Sequence, residues 1–155
     1  MCGYGSGIEG RCLRLTAIHA NRHIFEGQPN GKPIRLLFRF ADGRSLRIGV
    51  AGDGFRATID QLPLDPPFDM GEYGKVDIAD VTDVIGAHLR DLDAMSLHAL
   101  TRHGHDIGVR LGFEVVAPLS IWVDGDELHW GDADALAAYD WLGGGEPVAG
   151  LPVKL

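Results

Sequence analysis

The stretch that decides the fold is IRLLFRFADGRSLRIGV, residues 34–50. Apolar and polar side chains alternate on both sides of Asp42-Gly43, a dipeptide that supplies the positive φ angles of a type I′ hairpin turn. Because successive side chains of a strand point to opposite faces, this alternation predicts a β-hairpin with one apolar face. The side chains expected on that face are Ile34, Leu36, Phe38, Phe40, Leu46, Ile48 and Val50.

The same pattern continues on both sides of the hairpin. Residues 52–54, Gly-Asp-Gly, predict another turn, after which Phe55 and Ile59 return to the inward face. Upstream, residues 13–26 are predicted to form a strand that the turn-rich residues 27–31 connect to the hairpin. Together these elements predict an antiparallel meander.

A second copy of the meander is predicted 73 residues further along the chain. Residues 34–55 align without a gap with residues 107–128, and seven of the 22 positions are identical. Alternating Ile, Leu and Val would give part of this similarity in any two meanders, but the gapless register and a matched Gly-Asp turn favour duplication. We therefore expect a mainly β fold of two diverged antiparallel β-meander copies, offset by about 73 residues and closed into one barrel or sandwich.

The expected organisation is a single domain over residues 12–155. Its parts are copy one at about residues 12–62, a connector at 63–75, copy two at about 76–132, and a helix and tail at 133–155. A short C-terminal α-helix is predicted at about residues 133–142, because Asp132 can cap its start and three glycines follow it. Residues 84–92 are the candidate first strand of copy two, with a helix over residues 78–100 as the alternative.

Residues 1–11 are expected to be a tag or linker. Ile8-Glu9-Gly10-Arg11 matches the cleavage site of factor Xa, and a native glycine-rich arm is the alternative. The only two cysteines, Cys2 and Cys12, give no disulfide framework. No secretory signal and no run of 18 apolar residues is visible, so a cytoplasmic protein without membrane contact is expected.

The formal net charge of −8 is unevenly distributed. Residues 12–75 hold nine Lys/Arg and seven Asp/Glu, whereas residues 76–155 hold four Lys/Arg and fourteen Asp/Glu. An acidic lobe attracts a protein with a basic surface and repels nucleic acid, which needs positive potential. Simple solvation of the surface is the alternative explanation.

Two surfaces are candidates for partner binding. If Ile121 and Val123 point inward, Trp122 points outward above the small residues Gly108 and Gly112, as an aromatic anchor for a partner or as intramolecular packing. The first candidate face is Trp122, Asp124, Asp126, Glu127, His129, Asp132 and Asp134. The second is the arginine stripe of copy one, Arg35, Arg39, Arg47 and Arg56.

One short histidine segment is a candidate metal site. His103 and His105 are spaced i, i+2 and Asp106 adds a carboxylate, a donor set that suits zinc or manganese. A third ligand at diagnostic spacing is missing, and the segment aligns with the turn region of the first copy, so a polar hairpin loop is the favoured interpretation. No cofactor motif is found, so no cofactor is expected.

The favoured hypothesis is a non-enzymatic protein–protein interaction module, an acidic inhibitor or immunity-type protein that masks a basic partner. This hypothesis rests on charge and size rather than on a residue motif. The alternatives are a small-ligand-binding β-barrel that uses the space between the copies, and a hydrolase with a His/Asp metal site near residues 103–106.

Overall fold

The computed structural model describes residues 13–142 and 144–155, so the predicted tag at residues 1–11 lies outside the described part. Strand residues make up 52% of the protein and helical residues 12%, which confirms a mainly β fold. The strands are β1 (Leu13–Phe25), β2 (Gln28–Pro29), β3 (Arg35–Phe40), β4 (Ser45–Val50), β5 (Ala57–Asp60), β6 (Phe68–Asp69), β7 (Lys75–Asp80), β8 (Asp93–Arg102), β9 (His105–Phe113), β10 (Leu119–Asp124), β11 (Glu127–Gly131) and β12 (Val148–Pro152). The α-helices are α1 (Thr82–Gly86) and α2 (Ala133–Ala138), and single 3-10 turns lie at Gly71–Tyr73 and Ala87–Leu89.

All the strands belong to one antiparallel sheet whose main path is β11-β10-β9-β8-β1-β3-β4-β5. We call β1, β3, β4 and β5 the first meander, and β8 to β11 the second meander. The long strand β1 joins them: β3 pairs with one of its edges, and β7 and β8 pair with the other. The path ends at β5 and at β11, so the sheet is not closed and the expected barrel is not shown.

The two meanders use the same hairpin register. Leu36 lies opposite Ile48 in the first meander, and Val109 lies opposite Ile121 in the second, each 73 positions later. The following connection differs, because β4 and β5 are joined by residues 51–56 whereas β10 and β11 are joined by Gly125-Asp126 alone. The shared register therefore ends with the hairpin.

One hydrophobic core receives side chains from both meanders. The fully buried members from the first include Leu15, Ile18, Leu36, Phe38, Leu46 and Ile48, and those from the second include Val109, Leu111, Ile121, Val123 and Leu128. Two residues expected on the inward face lie elsewhere. Ile34 precedes β3 and is 39% exposed, and Phe55 lies in the loop before β5 and is 51% exposed.

The helical segments differ from the expectations in length and place. The Asp132 side chain caps α2 by accepting a hydrogen bond of 2.9 Å from the Ala135 N–H, but α2 ends at Ala138 because Tyr139 adopts an extended ψ of 135°. The first strand of the second meander is β8, not residues 84–92, most of which lie in α1 and the 3-10 turn that follows it. None of the described helices has the length and apolar character required to span a bilayer.

Candidate functional site

The first candidate face is built on the β10–β11 hairpin and α2, and the structure divides it into buried and exposed residues. Trp122 and Asp124 are 2% and 1% exposed, and His129 is half-buried. The exposed members are Asp126, Glu127, Asp132 and Asp134. A partner that docks on this face therefore meets the carboxylates directly, whereas Trp122 and Asp124 lie beneath the surface.

Trp122 points away from the main core, as the alternation of β10 predicts, but that outer face is covered. A second hydrophobic cluster unites Trp122 with Leu100, Ile107, Leu136 and Trp141. Trp122 lies opposite Gly108, where an added Cβ would lie 1.9 Å from the carbonyl oxygen of Ile121. Intramolecular packing thus accounts for the position of Trp122.

Asp124 and Arg102 form a buried ion pair that sequence reasoning missed. Arg102 Nη1 lies 3.6 Å from Asp124 Oδ1, and both side chains are at most 7% exposed. Asp124 Oδ2 accepts hydrogen bonds from the Tyr139 hydroxyl at 3.1 Å and the Leu142 N–H at 3.0 Å. Because breaking a buried pair leaves one charge uncompensated, loss of either partner should destabilise the adjoining ends of β8 and β10.

Arg102 also holds the C-terminal segment that covers the second cluster. Its guanidinium donates hydrogen bonds to the carbonyl oxygens of Leu142, Gly144 and Gly145, and it stacks 4.6 Å from the centre of the Trp141 ring. The only sequence signal for this role is that Arg102 is one of four cationic residues in an acid-rich half of the chain.

His129 is held in one orientation by its neighbours. Its Nε2 lies 3.1 Å from both the Asp124 carbonyl oxygen and the Tyr139 hydroxyl oxygen, and its ring stacks on Trp122 with 6.0 Å between centroids. Burial lowers the pKa of His129, and the nearby Lys32 ammonium lowers it further. Burial and the hydrogen bond with Asp124 raise the pKa of Tyr139 to about 12, so its hydroxyl remains a donor.

Lys32, in the connection between β2 and β3, approaches His129 from outside. Its Nζ lies 2.7 Å from His129 Nδ1, 3.8 Å from Glu127 Oε2 and 5.7 Å from the centre of the Trp130 ring. An ammonium can only donate, so Nδ1 is the acceptor and the neutral ring carries its hydrogen on Nε2. This contact joins residues 97 positions apart in the chain.

The arginine stripe is largely neutralised within the first meander and its connector. Arg35 pairs with Asp65 at 2.6 Å, Arg47 pairs with Asp60 through two hydrogen bonds of 2.9 Å, Arg56 pairs with Asp53 at 2.5 Å, and Arg39 donates to the His19 ring at 3.0 Å. The hydrogen bonds from Arg47 lower the pKa of Asp60. The stripe is therefore a set of local ion pairs rather than a continuous positive patch.

The histidine segment spans the β8–β9 turn, where His103 and Gly104 have φ of 53° and 77°, and the first two residues of β9. His105 and Asp106 are exposed and line, with Arg56, an open groove of about 460 Å³. Within residues 13–142 and 144–155, no group of three or more His, Cys, Asp or Glu side chains is placed to hold a metal ion. Among the described residues, the hydrolase hypothesis is therefore not supported by a set of metal ligands.

The two meanders meet at a second open groove, the inter-meander groove, with a volume of about 480 Å³. Its lining is Lys32, Pro33, Ile34, Arg35, Val50, Ala51, Gly52, Asp126 and Glu127. At its end the Asp126 N–H donates a hydrogen bond of 2.9 Å to the Gly54 carbonyl. Both meanders thus contribute to the walls of this groove.

Neither protein-family models nor curated proteins nor solved structures give a match to this chain. The residues of the site are therefore the basis for a functional proposal.

Proposed function

We propose that this protein is a non-enzymatic interaction module that binds and masks a protein with a basic surface, in the manner of an acidic inhibitor or immunity-type protein. The observation that supports this most is that the arginine stripe is paired internally, whereas several exposed carboxylates of residues 126–146 are not paired among the described residues. Three residues of the arginine stripe, Arg35, Arg47 and Arg56, are neutralised by neighbouring aspartates.

Several exposed carboxylates of the second half have no such partner in the described part of the chain. Asp126, Asp134, Asp140 and Glu146 are exposed, and none has an ion-pair partner within the part of the chain that the structure describes. Arg102, which could compensate them, is buried against Asp124. The result is an uncompensated negative potential, which steers a basic partner and excludes other partners by like-charge repulsion.

An evolutionary origin can be proposed for the difference in charge between the two halves of the chain. We propose that the two meanders descend from one duplicated unit, which the gapless 73-residue offset and the shared hairpin register support. We also propose a sandwich-like arrangement in which the two copies cover one hydrophobic core, in a cytoplasmic protein. In that history the inward faces kept the fold, and the outer faces diverged.

The decisive test is capture of partners from the native host, followed by titration of the purified partner at low and high salt. We expect Asp126→Asn with Asp134→Asn to weaken binding about tenfold, because two interfacial charges are lost without a change of shape. The matched control is Glu26→Gln with Glu72→Gln, which removes two exposed carboxylates outside the second meander. Binding that ignores both salt and the Asp126/Asp134 substitutions contradicts the proposal.

A second candidate function is small-ligand binding in the inter-meander groove. It is favoured by one observation: both meanders line a groove of about 480 Å³, whereas the space between their inward faces is filled by buried side chains. Native mass spectrometry of freshly purified protein tests it. A retained small molecule that Val50→Trp displaces would favour ligand binding over the interaction module.

A further inference from the structure

Three different groups of β11 surround the Lys32 ammonium. Glu127 supplies a carboxylate, His129 a neutral ring nitrogen, and Trp130 an aromatic face. Each of these groups attracts an ammonium through a different interaction, namely Coulombic attraction, hydrogen-bond acceptance and cation–π contact. We call Glu127, His129 and Trp130 the ammonium site.

The ammonium site is organised independently of Lys32. The His129 ring is fixed by the contacts of Nε2 with Asp124 and Tyr139 and by stacking on Trp122, and none of these contacts involves Lys32. These contacts leave Nδ1 directed outward as an acceptor. Removal of Lys32 therefore leaves an acceptor with no donor beside a carboxylate.

Lys32 lies at the end of an exposed segment, next to the buried Pro33. Residues 26–32, which surround the short strand β2, are all exposed, and Gly31 has a φ of 73° that only glycine adopts without strain. The Lys32 and Glu127 side chains are 39% and 56% exposed. A competing ammonium from outside can therefore reach the site, and exposed pairs of this kind are weak.

We propose that the ammonium site is a recognition site for a lysine side chain of the partner, and that Lys32 occupies it as an internal competitor until the partner displaces it. The proposal rests on the proposed function for the source of the competing lysine. The lowered pKa of His129 agrees with it, because a neutral ring keeps Nδ1 available as an acceptor at neutral pH. Displacement would also free Glu127 for the same partner.

The test is a titration of the full chain with Nα-acetyl-lysine amide, followed by the NMR resonances of the His129 imidazole at constant ionic strength. In Lys32→Ala we expect a saturable shift, with an affinity about two- to fivefold tighter than in the wild type, the range that an exposed ion pair supplies. In Lys32→Ala with Glu127→Gln the affinity falls again. Lys32→Met, which keeps most of the aliphatic stem, replaces Lys32→Ala if that variant loses structure.

Two controls separate recognition from general charge effects. Lys154→Ala removes a lysine that is also exposed and leaves the ammonium site occupied, so it should titrate as the wild type does. The uncharged Nα-acetyl-norleucine amide should give no saturable shift. An equal shift with norleucine, or no saturation in either Lys32 variant, overturns the proposal. Failure to capture a basic partner from the host would contradict the proposed function while leaving this titration interpretable.

Discussion

At equivalent positions on the outer face of the two hairpins, a large residue and a glycine face each other in reversed order. In the first meander Arg35 lies opposite Gly49, and 73 residues later Gly108 lies opposite Trp122. Each pair combines one large residue with one glycine, but the large residue lies on the first strand of the hairpin in one meander and on the second strand in the other. The shared register therefore determines where a glycine leaves space on the outer face. The sequence of each meander determines which strand supplies the large side chain that occupies this space.

The consequence is a different cover on each meander. The Arg35 side chain lies over Gly49, where an added Cβ would be 3.1 Å from the Cγ of Arg35. The Arg35 guanidinium pairs with Asp65 in the connector. Trp122 is instead covered by α2 and Trp141. The first meander thus has a polar cover of ion pairs at its surface, and the second has an apolar cover fixed by one buried ion pair.

The largest difference between the two covers is expected when one arginine is removed from each. Arg102→Ala should lower the free energy of unfolding by about 3–5 kcal/mol, because Asp124 is left buried without its cation. Arg47→Ala, which breaks the partly exposed pair with Asp60, should cost about 1 kcal/mol. Chemical denaturation of both variants measures the difference. Equal losses would show that the two covers are energetically alike.

The glycines provide the second comparison. Gly108→Ala should destabilise the protein by about 3 kcal/mol, since the new methyl group meets the backbone oxygen of Ile121, which cannot move without disturbing β10. Gly49→Ala meets side-chain atoms of Arg35 and Thr58 at 3.1 Å, which can yield, so a loss below about 1 kcal/mol is expected. Thermal unfolding of the two variants measures this difference. A larger loss of stability in Gly49→Ala than in Gly108→Ala would mean that the close backbone contact at Gly108 is not maintained.

The smallest expected difference lies in pH dependence. Because the pKa of His129 is lowered in the folded state, its contribution to stability is present above pH 6.5 and is lost as the pH falls through the folded-state pKa. Asp60 also has a lowered pKa, so its contribution is present above its ordinary pKa of 3.8 and is lost only in stronger acid. Between pH 8 and pH 5, roughly the range of histidine titration, the loss should therefore come from the second meander.

Unfolding free energies of the wild type and His129→Gln across that range measure this effect. The decrease of the unfolding free energy with falling pH should be smaller in His129→Gln than in the wild type. It should be unchanged in His88→Gln, which replaces an exposed histidine in the turn before β8. A slope unchanged by His129→Gln would place the pH sensitivity elsewhere.

Local periodicity was sufficient for part of this structure. The β3–β4 hairpin, the outward direction of Trp122 and the cap at Asp132 follow from side-chain alternation and from turn and cap chemistry within a few residues. The failures also have local causes. Ile34 precedes its strand, and the longer β4–β5 connection places Phe55 in a loop, although both fit the alternating pattern.

The contacts that build the site could not be predicted in this way. Arg102 meets Asp124 across two strands, and Lys32 meets His129 across 97 residues, so neither contact leaves a periodic signal. Trp122 shows the same limit. Its outward direction was predictable, but its burial under α2 and Trp141 depends on where α2 ends and how the following residues fold back. Tertiary placement, not residue type, decides whether such side chains are buried anchors or surface groups.

The use of both edges of β1 has a consequence for the order of folding. The first meander is complete in sequence at Asp60, but the second edge of β1 pairs with β7 and β8, whose residues follow later in the chain. Until those strands are synthesised, a 13-residue strand presents unpaired backbone groups. Such an edge is a template for association with other chains. The nascent chain is thus most prone to aggregate between the completion of β5 and the arrival of β7.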